Sequence, residues 1–161
     1  MYSEAEWKQI RAMRARRLGI ITIPAAVAFL AAVSLFVYGQ INRNDWLWLV
    51  TVTITLVGGC AYLFLLGLYV RPVCQYEKHV EYMLHGRKHE TTGILKLFDQ
   101  SLSDKNGVDC HRVMLNVGLK DDGEDDRLFY FDAHKEWPNI SLGQRVTIIS
   151  NDMMVAEIQA E

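Results

Sequence analysis

Two groups of side chains in this sequence have the types that could do chemistry. His79, His85 and His89 crowd one stretch, and Asp121, Asp122, Glu124, Asp125 and Asp126 surround Gly123. The first set contains zinc-type ligands and the second calcium-type ligands, but neither has the required spacing. A zinc site needs converging Cys, His or carboxylate groups and outer partners that orient them. His85 and His89 stand four apart, but Gly86 interrupts the helix that would align them. Imidazoles there more simply meet the bare carbonyls of a helix C-terminus. An EF-hand loop needs alternating ligands, Gly at its sixth position and Glu at its twelfth. The acidic run lacks that order and reads as a solvated hairpin loop, suited to repelling wrong partners or attracting a basic one.

Cys60, Cys74 and Cys110 read as reduced thiols, not a disulfide frame. Cys74 sits where a palmitoyl group could be attached, with the unmodified thiol as the plainer reading. No phosphate-binding glycine loop, nucleophile elbow, HExxH or paired-carboxylate motif is present. The sequence therefore points away from an enzyme and offers no catalytic, cofactor-binding or metal-binding residue and no cofactor.

The elements around these residues are more informative. Residues 18–38 and 46–70 contain no Asp, Glu, Lys, Arg or His. Each fits the roughly 17–25 residues that a helix needs to cross about 30 Å of hydrocarbon. The second contains 13 Leu, Val, Ile or Phe residues and the first 11. At about −0.3 to −0.6 kcal/mol each near the bilayer centre, such residues favour insertion by several kcal/mol. Trp7, Tyr38, Trp46, Trp48 and Tyr69 fall where amphipathic rings meet headgroups. Ala25, Ala28 and Ala32 share one face of the first helix, and Gly58 and Gly59 lie mid-way along the second. Small residues allow close helix packing in lipid, either within one hairpin or between copies. Thr51, Thr53 and Thr55 do not form one helical face, and their hydroxyls can bond their own backbone. The segments carry no charge to move ions or protons, which argues against a transporter or pump.

Lys8, Arg11, Arg14, Arg16 and Arg17 precede the first segment, Arg43 lies in the link, and Arg71, Lys78, Arg87 and Lys88 follow the second. The positive-inside rule places both termini in the cytoplasm. The first apolar run is too long for a signal peptide and lacks a small-x-small cleavage site. Residues 1–17 carry a net +3 and residues 72–161 a net −6. Ser3-Glu4-Ala5-Glu6 resembles a capping box opening a short amphipathic helix, with Trp7, Ile10 and Met13 on one face. After Pro72, the spacing of Val73, Tyr76, Val80, Met83 and Leu84 predicts a juxtamembrane helix ending at Gly86. Its apolar stripe must face the tail domain or a neighbouring copy.

From about residue 91 the period changes to two. Strands are expected over 92–98, 112–117, 127–132, 144–150 and 153–159, the last two joined by Asn151-Asp152. Val113, Leu115, Val117, Phe129, Phe131, Val146, Ile148, Met154, Ala156 and Ile158 form the expected inward set. Five short strands suggest a small antiparallel barrel of the OB or SH3 kind. Met114, Tyr130, Ile149 and Val155 fall opposite, and Trp137-Pro138 lies in a loop. Of these, Tyr130 and Trp137 are the expected partner contacts.

Two membrane helices and a connecting helix come first. Thr92-Gly93-Ile94 then opens a β-domain that closes with Leu142-Gly143-Gln144-Arg145-Val146-Thr147-Ile148 and Met154-Val155-Ala156-Glu157. This layout resembles the NfeD-like family, which implies a membrane protein with a small OB-fold domain, some members being partners of stomatin-type scaffolds. The chain departs from that family in its longer acidic loops and marked juxtamembrane helix. The resemblance carries over no catalytic residue.

The expected organisation is thus a basic amphipathic helix over 1–17, a two-helix transmembrane hairpin over 18–71, a juxtamembrane helix and linker over 72–90, and a small β-barrel over 91–161. The expected role is that of an integral membrane structural or interaction protein. Its partners would be the lipid bilayer and either further copies of itself or another membrane protein. The alternatives are a small channel-like homo-oligomer lined by the second helix, or a membrane-tethered ligand- or nucleic-acid-binding module. The net −6 of the tail argues against nucleic acid, because binding a polyanion needs Lys and Arg.

Overall fold

A computed structural model describes residues 1–43, 45–118 and 123–160. They form two compact units, one of Met1–Gln9 with Gln75–Glu161, the other of Ile10–Cys74.

Helix α1 runs over Glu4–Ile41 without a break, so residues 4–17 are the start of a longer helix. Ser3 Oγ accepts the Glu6 backbone N–H at 3.2 Å, satisfying one of the donors left bare at a helix start. Pro24 lies inside the helix. Helix α2 covers Asp45–Leu65, a single π turn covers Leu66–Val70, and α3 covers Arg71–His85. Both long helices are apolar enough to cross a membrane, and only 6% of each apolar window is buried. The hydroxyls of Thr51, Thr53 and Thr55 each donate to the carbonyl four residues back, at 2.8 to 2.9 Å.

Five strands follow: β1 (His89–Lys105), β2 (Val108–Asn116), β3 (Asp126–Asp132), β4 (Arg145–Asn151) and β5 (Met154–Ala160). The β1–β2 hairpin turns on Asn106 and Gly107, both with positive φ (58° and 77°). Two left-handed residues twist the turn to match its strands, which is why Asn-Gly suits it. The hydrogen-bonded order is β1-β2-β3-β5-β4, and β4 pairs in turn with β1, so the pairing closes on itself. The expected all-antiparallel arrangement is not met. β3 and β5 run parallel, pairing at Tyr130 and Met154, and the sheet is mixed. Alternation alone cannot reveal strand direction, because both directions share a side-chain period of two.

The sheet has a core on each side. Leu95, Val113, Leu115, Phe129, Phe131, Val146, Ile148 and Val155 fill the inner one. Met83 of α3 packs with Val108, Cys110, Met154 and Ala156 in the outer one, flanked by Tyr2, Tyr76 and Tyr130. The apolar stripe of α3 therefore covers the sheet, with Val80 and Met83 fully buried. This outer cover reverses part of the expected inward set. The β4–β5 turn is Asp152-Met153, one residue later than expected. Val155 faces the inner core, and Met154 and Ala156 face outward against the helix. A bulge at Ala156, where Ile149 pairs with Glu157 and Ser150 with Val155, changes the facing of the residues before it, while Ile158 packs on the inner core as expected.

Gly86 follows α3 because no side chain fits there. A Cβ would come within 1.7 Å of Asn151 Nδ2 and 2.5 Å of the Tyr82 carbonyl. Asn151 uses that space to donate from Nδ2 to the Tyr82 carbonyl at 2.8 Å, capping the helix end.

Candidate functional site

Within the helical unit, the small residues do come together. Ala25, Ala28 and Ala32 of α1 and Gly58 and Gly59 of α2 line one groove of about 350 Å³, with Phe29, Ile54 and Tyr62. Ala32 is buried. Gly58 and Gly59 do not close against α1, since a Cβ on either would meet nothing within 4 Å. The Thr22 and Tyr62 hydroxyls share a hydrogen bond of 3.4 Å across the groove. Nearby, Arg17 Nη1 donates to the Tyr69 carbonyl at 3.2 Å, on the π turn. Tyr38, Trp46, Trp48 and Tyr69 are exposed. Trp7 is half-buried instead, with its indole edge-on to His85 at 6.3 Å.

The β unit holds a polar cluster that the motifs did not announce. Asp132, at the end of β3, is completely buried. Its Oδ2 accepts from Tyr76 at 2.9 Å and from Tyr2 at 3.2 Å. Its Oδ1 accepts from the His134 backbone N–H at 2.9 Å and lies 3.1 Å from His134 Nδ1. His79 Nε2 stands 3.0 Å from the Tyr2 hydroxyl. Burial and the neighbouring Asp132 carboxylate push both Tyr2 and Tyr76 well above the usual phenol range. Burial pulls His79 below its usual value, an effect the Asp132 carboxylate partly opposes. Burial, helped by Asp132, pushes the Cys110 thiol up to about 12, so this cysteine is not a nucleophile at neutral pH. Lys135 Nζ pairs with Glu6 and lies 4.9 Å over the Tyr2 ring. His85 Nε2 lies 3.1 Å from Glu4 Oε1 at an exposed position. These contacts hold Met1–Gln9 to the sheet. The cluster behaves as a clasp. Its sequence signal was the tyrosine and histidine spacing on α3, which puts Tyr76 and His79 one turn apart.

The histidine trio is dispersed. His79 enters the clasp, His85 lies at the end of α3, and His89 starts β1. Among the described residues, no group of three or more His, Cys, Asp or Glu is placed to hold a metal. Asp121 and Asp122 lie outside the described residues; Glu124 and Asp125 form a short 3₁₀ turn, Gly123–Asp125. Asp126 is tied down, accepting from Asn116 Nδ2 at 2.7 Å and pairing with Lys96 at 2.9 Å.

Trp137 is half-buried against the inner core. Its ring stacks on Phe98 at 3.8 Å and meets Phe131 edge-on at 5.0 Å, while Nε1 donates to the Ile140 carbonyl. Tyr130 is half-buried on the outer core, with Lys105 Nζ 5.1 Å from its ring centre. A groove of about 700 Å³ opens nearby between the start of β1, the first half of β3 and the β4–β5 turn. Sequence reading did not find it, because the three segments are far apart in the chain.

No protein-family model, no curated protein and no solved structure matches the chain.

Proposed function

We propose that this chain is a membrane-anchored interaction protein whose β unit docks a partner protein or another copy on the cytoplasmic side. The observation that carries this reading is the contrast between the two units. The apolar windows of the long helices are only 6% buried, whereas the β unit carries two closed cores of its own. Apolar surface on that scale is stable only when lipid or protein covers it. Basic residues in the first turns of α1, from Lys8 to Arg17, and after α2 favour cytoplasmic termini.

For the β unit, we favour a small barrel of the OB kind over the SH3 kind. The order β1-β2-β3-β5-β4, with one parallel pair, fits that topology. A place among NfeD-like proteins is proposed on layout alone. The channel reading is weaker, because the threonine hydroxyls of α2 are already used within their own helix.

The test is alkaline extraction of native membranes followed by chemical cross-linking and affinity capture of the full chain. The reading requires the chain to stay in the pellet and to cross-link to a second copy or a defined protein. Release by carbonate, or a strict monomer with no cross-linked species, overturns it.

A further inference from the structure

β5 begins at Met154, opposite Tyr130, and the two strands pair only there among the described residues. Residues 126–129 of β3 thus run past the end of β5. On their other side they pair with β2 throughout. The Tyr130 backbone N–H points toward β5, donating to the Met153 carbonyl at 2.8 Å. Backbone groups alternate along a strand, so those of Leu128 point the same way, into the 700 Å³ groove. An open strand edge facing a groove is a template for an added strand.

The rim of the groove is acidic. Glu90, Glu124, Asp125, Asp126 and Asp152 line it, against Arg127 and His89. Asp126 is neutralised by Lys96. Glu90, Glu124 and Asp152 are exposed and have no charged partner among the described residues. Charge complementarity selects a cationic occupant, and the strand edge selects an extended backbone over a folded cation or a bare metal ion.

We propose that this groove takes a Lys- or Arg-bearing extended segment of a partner protein, added as a short strand along the free edge of β3 at Leu128. The inference rests on the reading of the chain as an interaction protein and names its partner class. Backbone pairing gives the site affinity for any extended chain, and the carboxylate rim selects the basic ones.

The test uses the full chain in zwitterionic nanodiscs and a fluorescent peptide of four Lys-Val repeats. Three comparisons accompany it: a Glu-Val peptide, a Lys-Val peptide N-methylated at alternate residues, and calcium alone. The Lys-Val peptide is expected to bind, more weakly as salt rises. The E90Q/E124Q/D152N variant, changed only at exposed positions, is expected to weaken it about tenfold, as for three surface charge pairs. Methylation of the edge-facing amides is expected to abolish binding. No binding of the Lys-Val peptide, equal binding of the methylated or Glu-Val peptide, or displacement of the peptide by calcium overturns the proposal. Failure here with a partner still captured from membranes overturns this inference alone. Peptide binding by a chain that carbonate releases overturns the membrane reading alone.

Discussion

Tyr2 donates its hydroxyl proton to Asp132 Oδ2 at 3.2 Å across 130 positions of sequence. The same carboxylate accepts from Tyr76 and from the His134 backbone. Removing the Tyr2 hydroxyl leaves the other donors in place, so Tyr2→Phe is expected to cost about 1 kcal/mol. Asp132→Ala strands several buried donors at once and is expected to cost about 3 kcal/mol or more. Guanidinium unfolding followed by tryptophan fluorescence measures both. Equal costs would mean that the carboxylate is not the hub of the clasp.

The clasp should respond to pH through His79. Its folded pKa lies below the ordinary 6.5. The unfolded chain therefore binds a proton on this imidazole before the folded chain does. Stability from this group is present above about pH 6.5 and falls as pH drops toward the lower folded value. His79→Gln is expected to flatten the stability change between pH 7.5 and 5.5, compared by denaturant midpoint. An unchanged slope removes His79 from the account.

At the alkaline end the sign reverses. Tyr2 and Tyr76 have pKa values raised above the ordinary 10.0. The unfolded chain loses those protons first, so stability is retained up to about pH 10 and is lost above it. The Tyr2→Phe/Tyr76→Phe double variant should lose less stability between pH 9 and 11 than the parent chain.

Gly86 and Asn151 are coupled sterically. Gly86→Ala drives a Cβ into Asn151 Nδ2 and the Tyr82 carbonyl, with an expected cost of about 1–3 kcal/mol. Asn151→Ala removes the cap on Tyr82 at about 1 kcal/mol. The double variant should cost less than the sum, by at least about 0.5 kcal/mol, because the worst overlap disappears with the amide. Strict additivity would show that the two do not meet.

Gly58 and Gly59 behave differently. Space is open at both Cβ positions, so Gly58→Ala is expected to leave the helical unit as stable as before, or more stable by up to about 1 kcal/mol. Thermal unfolding in detergent measures this. A large loss would show that a second copy packs on the glycines.

Much of this arrangement could be read from the sequence. Uncharged length alone located the two long helices, and alternation located all five strands. The stripe of Val80 and Met83 called for a covering surface, which the sheet supplies. What escaped has physical causes. Asn106-Gly107 is a strong hairpin signal, and reading it would have extended β1 to Lys105 and started β2 at Val108. Trp137 packs on Phe98 and Phe131, a neighbourhood that loop composition does not show. The clasp depends on Tyr2 meeting Asp132, a pairing that no local pattern encodes.

The double cover on β5 has a consequence for how substitutions would be tolerated. Met154, Val155 and Ala156 are all buried, because alternate side chains meet different cores. Along the start of β4, by contrast, exposed Arg145 and half-buried Thr147 alternate with buried Val146 and Ile148. A saturation scan should therefore draw a comb along the start of β4 and a solid bar over the first three residues of β5. A polar residue introduced anywhere within that bar has no wet side to turn to.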